Sequence, residues 1–235
     1  MDTDDERIRE AVKNTEILRP PKQSLATFGT TNVYYYLVTE PAYSELVKSA
    51  AETVIREGRV IAERPKIVTP LYLSHLEGFS PEAKRYLDSL VKAYGSNAPG
   101  LYYSYKNEPK GLNIVSGNLL AVVDKLNREI DKRGDPLASI IRGPDELWDV
   151  SLMKFIYEMT RSSLPDNLMQ MENRGLLDMD ARGVPADARV RIEELFKMVG
   201  SGDLDPGELK SELDRWGLFE EYEDRFLAIF KKSRR

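Results

Sequence analysis

The chain contains no cysteine and a single histidine, and these shortages remove more chemistry than the remaining residues suggest. Without thiols there are no disulfides, no thiolate zinc sites, no iron–sulfur ligation and no cysteine nucleophile, a composition that suits a reducing compartment. One imidazole leaves carboxylates as the main metal ligands, so no metal and no cofactor is expected. Long apolar runs are missing too. Stretches such as Val33 to Val38 are far shorter than the roughly 20 apolar residues that cross a bilayer, so no membrane partner is expected. The opening residues Met1-Asp-Thr-Asp-Asp-Glu6 lack the basic and apolar regions of a secretory signal, and the expected location is the cytoplasm.

There is no excess of positive charge. With 34 Lys and Arg against 39 Asp and Glu the net charge is −5, which disfavours a general polyanion binder. Phosphate loops of the Gly-x-x-x-x-Gly-Lys-Ser/Thr and Gly-x-Gly-x-x-Gly types are absent, as is a Gly-x-Ser-x-Gly nucleophile elbow. The stretch Gly200 to Glu212 has the outline of a calcium loop but places Ser201 at the first ligand position and Pro206 at the turn glycine. Asp205 capping a helix that opens at Pro206 accounts for the same residues. A DNA-reading helix there is disfavoured, because Glu208, Glu212 and Asp214 outnumber Lys210 and Arg215.

What is present is ordinary globular material, 41% hydrophobic and 31% charged, in 235 residues. Ile8, Val12, Ile17 and Leu18 predict a lead-in helix ended by Pro20-Pro21. Asn32 to Thr39 is rich in β-branched and aromatic residues and predicts a strand. Leu46, Val47, Ala50, Val54 and Ile55 are spaced for a helix from Tyr43, with Gly58 as its left-handed cap. Arg59 to Thr69, broken by Pro65, predicts strand, kink and strand. Ser80-Pro81-Glu82 predicts a helix start running to Tyr94, and Leu101 to Tyr105 a further strand.

Beyond Gly111 the pattern predicts helices only. Ser116 is the expected cap for the stripe Leu119, Leu120, Val123, Leu126 and Ile130, and a long helix from Leu147 is expected to stop before Pro165, with another from Pro165 to Arg174. The expected fold class is α+β: a small mixed or antiparallel sheet over about 32–106, covered by helices, then a helical region and a C-terminal three-helix appendage, with a doubly wound sheet as the alternative. The expected domains are 1–178, a linker at 179–188 and a subdomain at 189–235. Residues 181–235 carry 12 acidic and 11 basic groups, which suits a solvated bundle or a contact element.

Two features stand out as candidate sites. His75, in Leu73-Ser-His-Leu-Glu77, with Glu77 or a distant carboxylate as its partner, is the catalytic candidate for a hydrolase. Tyr34, Tyr36, Tyr103 and Tyr105 with Lys106 are the binding candidates, on either of two arrangements. An exposed aromatic sheet face would stack bases or grip a partner; tyrosines buried under helices, with hydroxyls on polar groups, are the commoner case. With no catalytic signature, the leading functional expectation is a non-catalytic adaptor or assembly protein working through protein contacts or self-association. The alternatives are the His75 hydrolase and an RNA or single-strand binder using the tyrosines.

Overall fold

The strand expected from Asn32 to Thr39 forms, and it organises the first part of the chain. The computed structural model describes residues 3–41, 51–68, 80–82, 85, 89, 92, 100–178, 180–181 and 184–232. Its elements are α1 (Thr3–Lys13), β1 (Glu16–Arg19), β2 (Thr31–Thr39), β3 (Glu52–Ala62), β4 (Lys66–Val68), β5 (Gly100–Tyr102), β6 (Tyr105–Ser116), α2 (Leu119–Arg133), β7 (Ala138–Arg142) and α3 (Trp148–Glu172). Three more helices complete the described chain: α4 (Ala186–Ser201), α5 (Pro206–Arg215) and α6 (Phe219–Lys232). The class is α+β, with a mixed five-stranded sheet in the order β1-β7-β2-β3-β6. Only the β2–β7 pair is parallel. None of the described helices is long and apolar enough to cross a membrane.

A strand turns alternate side chains to opposite faces, and β2 shows the consequence. Val33, Tyr35 and Leu37 enter a core with Ile8 and Ala11 of α1 and Val150, Met153, Phe155 and Ile156 of α3. Tyr34, Tyr36 and Val38 point the other way, toward Leu119, Val123, Leu126 and Ile130 of α2. The sheet is thus sandwiched, with α1 and α3 on one face and α2 on the other.

The structure corrects several expectations. Val54, Ile55 and Gly58 belong to β3, not to a helix and its cap. Both sides of that strand are paired, to β2 and to β6, and such ladders outweigh a short apolar spacing that fits either period. Gly58 does not adopt a left-handed conformation. It makes room for Tyr35, because a Cβ there would lie 2.7 Å from the ring Cζ and 2.8 Å from the Glu108 carbonyl oxygen. Ile17 and Leu18 leave the lead-in helix for β1. The sheet also reaches past 32–106, since β6 continues to Ser116 and β7 interrupts the region expected to be all helix. β7 is a five-residue run with four buried residues, a pattern that periodicity alone does not separate from a buried helix. Asn118, rather than Ser116, caps α2, accepting from the Ala121 amide at 2.9 Å.

Helix α3 runs through Pro165 without a break. Proline denies the Arg161 carbonyl its donor, but polar anchors hold the helix on both sides of the gap. Ser163 accepts from the Leu25 amide at 2.9 Å, and Asn167 donates to the Leu25 carbonyl at 3.0 Å. The helix expected from Ser80 lies mostly outside the described residues.

Two compact units are present, 1–168 and 169–235, whereas the sequence places the break at 179–188. In the second unit, α4, α5 and α6 bury Ile192, Leu209, Leu213 and Leu218 among themselves. Asp205 caps α5 by accepting from the Gly207 amide at 2.7 Å, ahead of Pro206. Gly202 closes α4 in the left-handed region at φ 83°. Arg225 of α6 grips Glu193 of α4 through both carboxylate oxygens, at 2.6 and 2.8 Å.

Candidate interaction edge

Strand β6 is the outer strand of the sheet, so one side of its backbone has no strand against it among the described residues. Its two halves differ in chemistry. The first, Tyr105 to Lys110, carries Lys106, Glu108, Pro109 and Lys110, and the register with β3 shifts between Glu57 and Gly58, where an extra residue is accommodated. Charges, a proline and a bulge are the usual devices that stop edge strands from pairing. The second half, Gly111-Leu-Asn-Ile-Val-Ser116, has no charge and no proline. Leu112 and Ile114 lie on one face of it, 57% and 54% exposed.

On the α2 face a groove of about 610 Å³ runs beside this half, lined by Tyr36, Glu57, Asn113, Lys125, Arg128 and Arg133 among others. Asn113 donates weakly to Glu57, at 3.4 Å. Among the described residues a cleft of about 880 Å³ lies at the ends of β2 and β7, lined by Glu6, Glu10, Glu40, Arg142, Asp145 and Glu146 among others. Several of its carboxylates have partners: Asp145 accepts from Arg56 at 2.7 Å and Thr39 at 2.7 Å, and Glu146 pairs with Arg7 at 3.1 Å. No group of acidic residues or histidine that could hold a metal occurs among the described residues.

The structure separates the tyrosines. Tyr103 and Tyr105 are buried, parallel, with ring centroids 6.2 Å apart. Their hydroxyls reach Asn167, at 2.6 Å, and Thr160. Tyr35 joins them in the same core and donates to Asn107 at 3.0 Å. Tyr34 and Tyr36 face α2 instead and are only half-buried. Cations occupy positions over both rings: Lys110 Nζ lies 4.9 Å from the Tyr34 centroid, and the Arg133 guanidinium lies 5.6 Å from that of Tyr36 and donates to its hydroxyl at 2.8 Å. That hydrogen bond raises the Arg133 pKa. Lys106 is exposed and 3.5 Å from Glu108, which is held below the usual carboxylate range by its hydrogen bond from Arg59. His75 and Glu77 lie outside the described residues.

Burial suppresses the ionisation of the core phenols by raising their pKa. Tyr35 is pushed from 10.0 to about 12 by desolvation, partly offset by its bond to Asn107, and desolvation pushes Tyr103 and Tyr105 higher still. The folded state therefore favours the neutral phenols. Their contribution is fully present below pH about 10 and is lost as pH rises, for Tyr35 between about 10 and 12. In an alkaline titration followed by phenolate absorbance, these three rings are expected to ionise only with loss of circular dichroism, after the exposed tyrosines. Full ionisation of all tyrosines with the fold intact would show that the core phenols are open to water.

Comparisons of the chain with family models, curated proteins and solved structures find no match. What bears on function is the chemistry of the surface. The residues that matter there, Leu112 and Ile114, were not among the sequence candidates. Their signal was an uncharged stretch with apolar residues two apart between Lys110 and Gly117, a spacing that belongs to a strand.

Proposed function

We propose that the chain is a non-catalytic interaction protein of the cytoplasm that receives an extended protein segment along the open half of β6. The observation that carries this is the contrast within one strand: the first half is defended by charge, proline and a bulge, and Gly111 to Ser116 is not. Backbone groups of an edge strand supply affinity for any extended chain, while alternate side chains select which one. Two exposed aliphatic residues on one face of an uncharged edge favour an apolar, alternating segment. The absence of thiols suits the reducing interior. Base stacking on Tyr34 and Tyr36 is less favoured, since Lys110 and Arg133 already lie over those rings.

A photoreactive side chain at position 112 of the full chain, activated in the cells that make it, tests the proposal. The expected result is a covalent adduct with a protein, another copy of the chain included, lost when Ile114→Lys is added and absent when the probe is placed at Lys106. No adduct at position 112, or one indifferent to Ile114→Lys, would overturn it.

A further inference from the structure

The charge pattern along β6 also selects its occupant. We propose that the segment received at this edge is the same edge of a second copy, paired antiparallel about a two-fold axis at Asn113; this rests on the strand-addition reading above. A two-fold normal to the sheet keeps each face on its own side, so residue i must oppose a residue an even number of positions away, itself included. With Asn113 opposite Asn113, Leu112 meets Ile114 of the second copy, twice, and Gly111 meets Val115. The exposed aliphatic pair thus covers its own counterpart.

This register also places no like charges together. Lys110 falls opposite Ser116, and Glu108 and Lys106 extend beyond the paired segment, opposite residues outside the strand. Moving the centre to Leu112 sets Ile114 against Lys110, and moving it to Ile114 sets Leu112 against Ser116; both leave an aliphatic residue without an aliphatic partner. The bulge at the Glu57–Gly58 register shift limits pairing to the uncharged half, which fixes the centre. Two five-stranded sheets become one continuous sheet, and the uncharged half of β6 gains a partner strand in both copies. So short a ladder predicts a reversible dimer, below the interface size of permanent ones.

The lack of cysteine makes the test direct. Residues directly opposite in an antiparallel pair have Cα atoms about 4.5–5.5 Å apart, inside the range a disulfide requires. The full-length Asn113→Cys chain is expected to give a disulfide-linked dimer under mild oxidation. Lys106→Cys, whose symmetry mate would lie about 45 Å away, is not. By sedimentation the unmodified protein is expected to show a monomer–dimer equilibrium, and Ile114→Lys, or Leu112→Lys should the first variant misfold, to raise the dissociation constant roughly tenfold or more. An Asn113→Cys chain that links no faster than Lys106→Cys, with a monomeric wild type, overturns self-pairing. If position 112 still captures a different protein in cells, strand addition survives and only the second copy is rejected.

Discussion

Replacing Glu212 with Ala is expected to destabilise the C-terminal helical unit by about 3–5 kcal/mol, the range for removing one partner from a buried ionic cluster. The Glu212 side chain is only 7% exposed and is shared by two hydrogen-bond donors and a second guanidinium. Arg215 Nη1 lies 2.7 Å from it, the Trp216 indole donates at 3.3 Å, and Arg191 Nε stands at 3.7 Å. Without the carboxylate, two guanidinium groups that are mostly covered would lose the anion they share. Glu212→Gln keeps an acceptor for the indole and is expected to cost less. Hydrogen exchange of the full chain reads this unit by itself: α4 to α6 should exchange faster while β2 and β3 keep their protection. A loss below about 1 kcal/mol would mean that water already screens the cluster. Replacing Arg191, Glu212 and Arg215 together by apolar residues of similar volume should be far milder, because the carboxylate and the two guanidiniums it pairs with leave together.

The legible parts of the sequence were those with local causes. β2, the Asp205 cap before Pro206 and the C-terminal helical faces follow from β-branching, side-chain capping and helical spacing, and all three stand in the structure. Elements set by distant partners were not legible. Gly58 looks like a helix cap until Tyr35, more than twenty residues earlier, is laid over it; β7 is recognisable only once β1 and β2 flank it. The same holds for the candidate site. The tyrosine clusters announced themselves by composition, yet Tyr103 and Tyr105 serve the core and Tyr34 and Tyr36 face α2. The open half of β6 has an inconspicuous composition, and its significance comes from being outermost, which is a property of strand order.

Asn167 shows how such distant causes hold the first unit together, and Asn167→Ala is expected to cost it about 3 kcal/mol or more. The side chain is fully buried, and its three hydrogen bonds reach two distant segments, 25–27 and the one that holds Tyr103. Its carbonyl accepts from the Tyr103 hydroxyl at 2.6 Å, while its amide donates to the Leu25 carbonyl at 3.0 Å and to the Thr27 hydroxyl at 2.6 Å. Truncation leaves a backbone carbonyl and two hydroxyls without this partner in a dry site, at roughly 1–3 kcal/mol for each group that finds no other. Asn167 also stands two residues beyond Pro165, so the same change releases the helix just past the missing backbone bond. Tyr103→Phe removes one of the three bonds and should cost about 1 kcal/mol. Because the two side chains touch, the double variant should be less destabilised than the sum of the single ones, with a coupling of about 0.5–1.5 kcal/mol in denaturant unfolding. Strict additivity, or an Asn167→Ala protein as stable as wild type, would mean that this asparagine merely fills space and that apolar packing alone carries α3 through its proline.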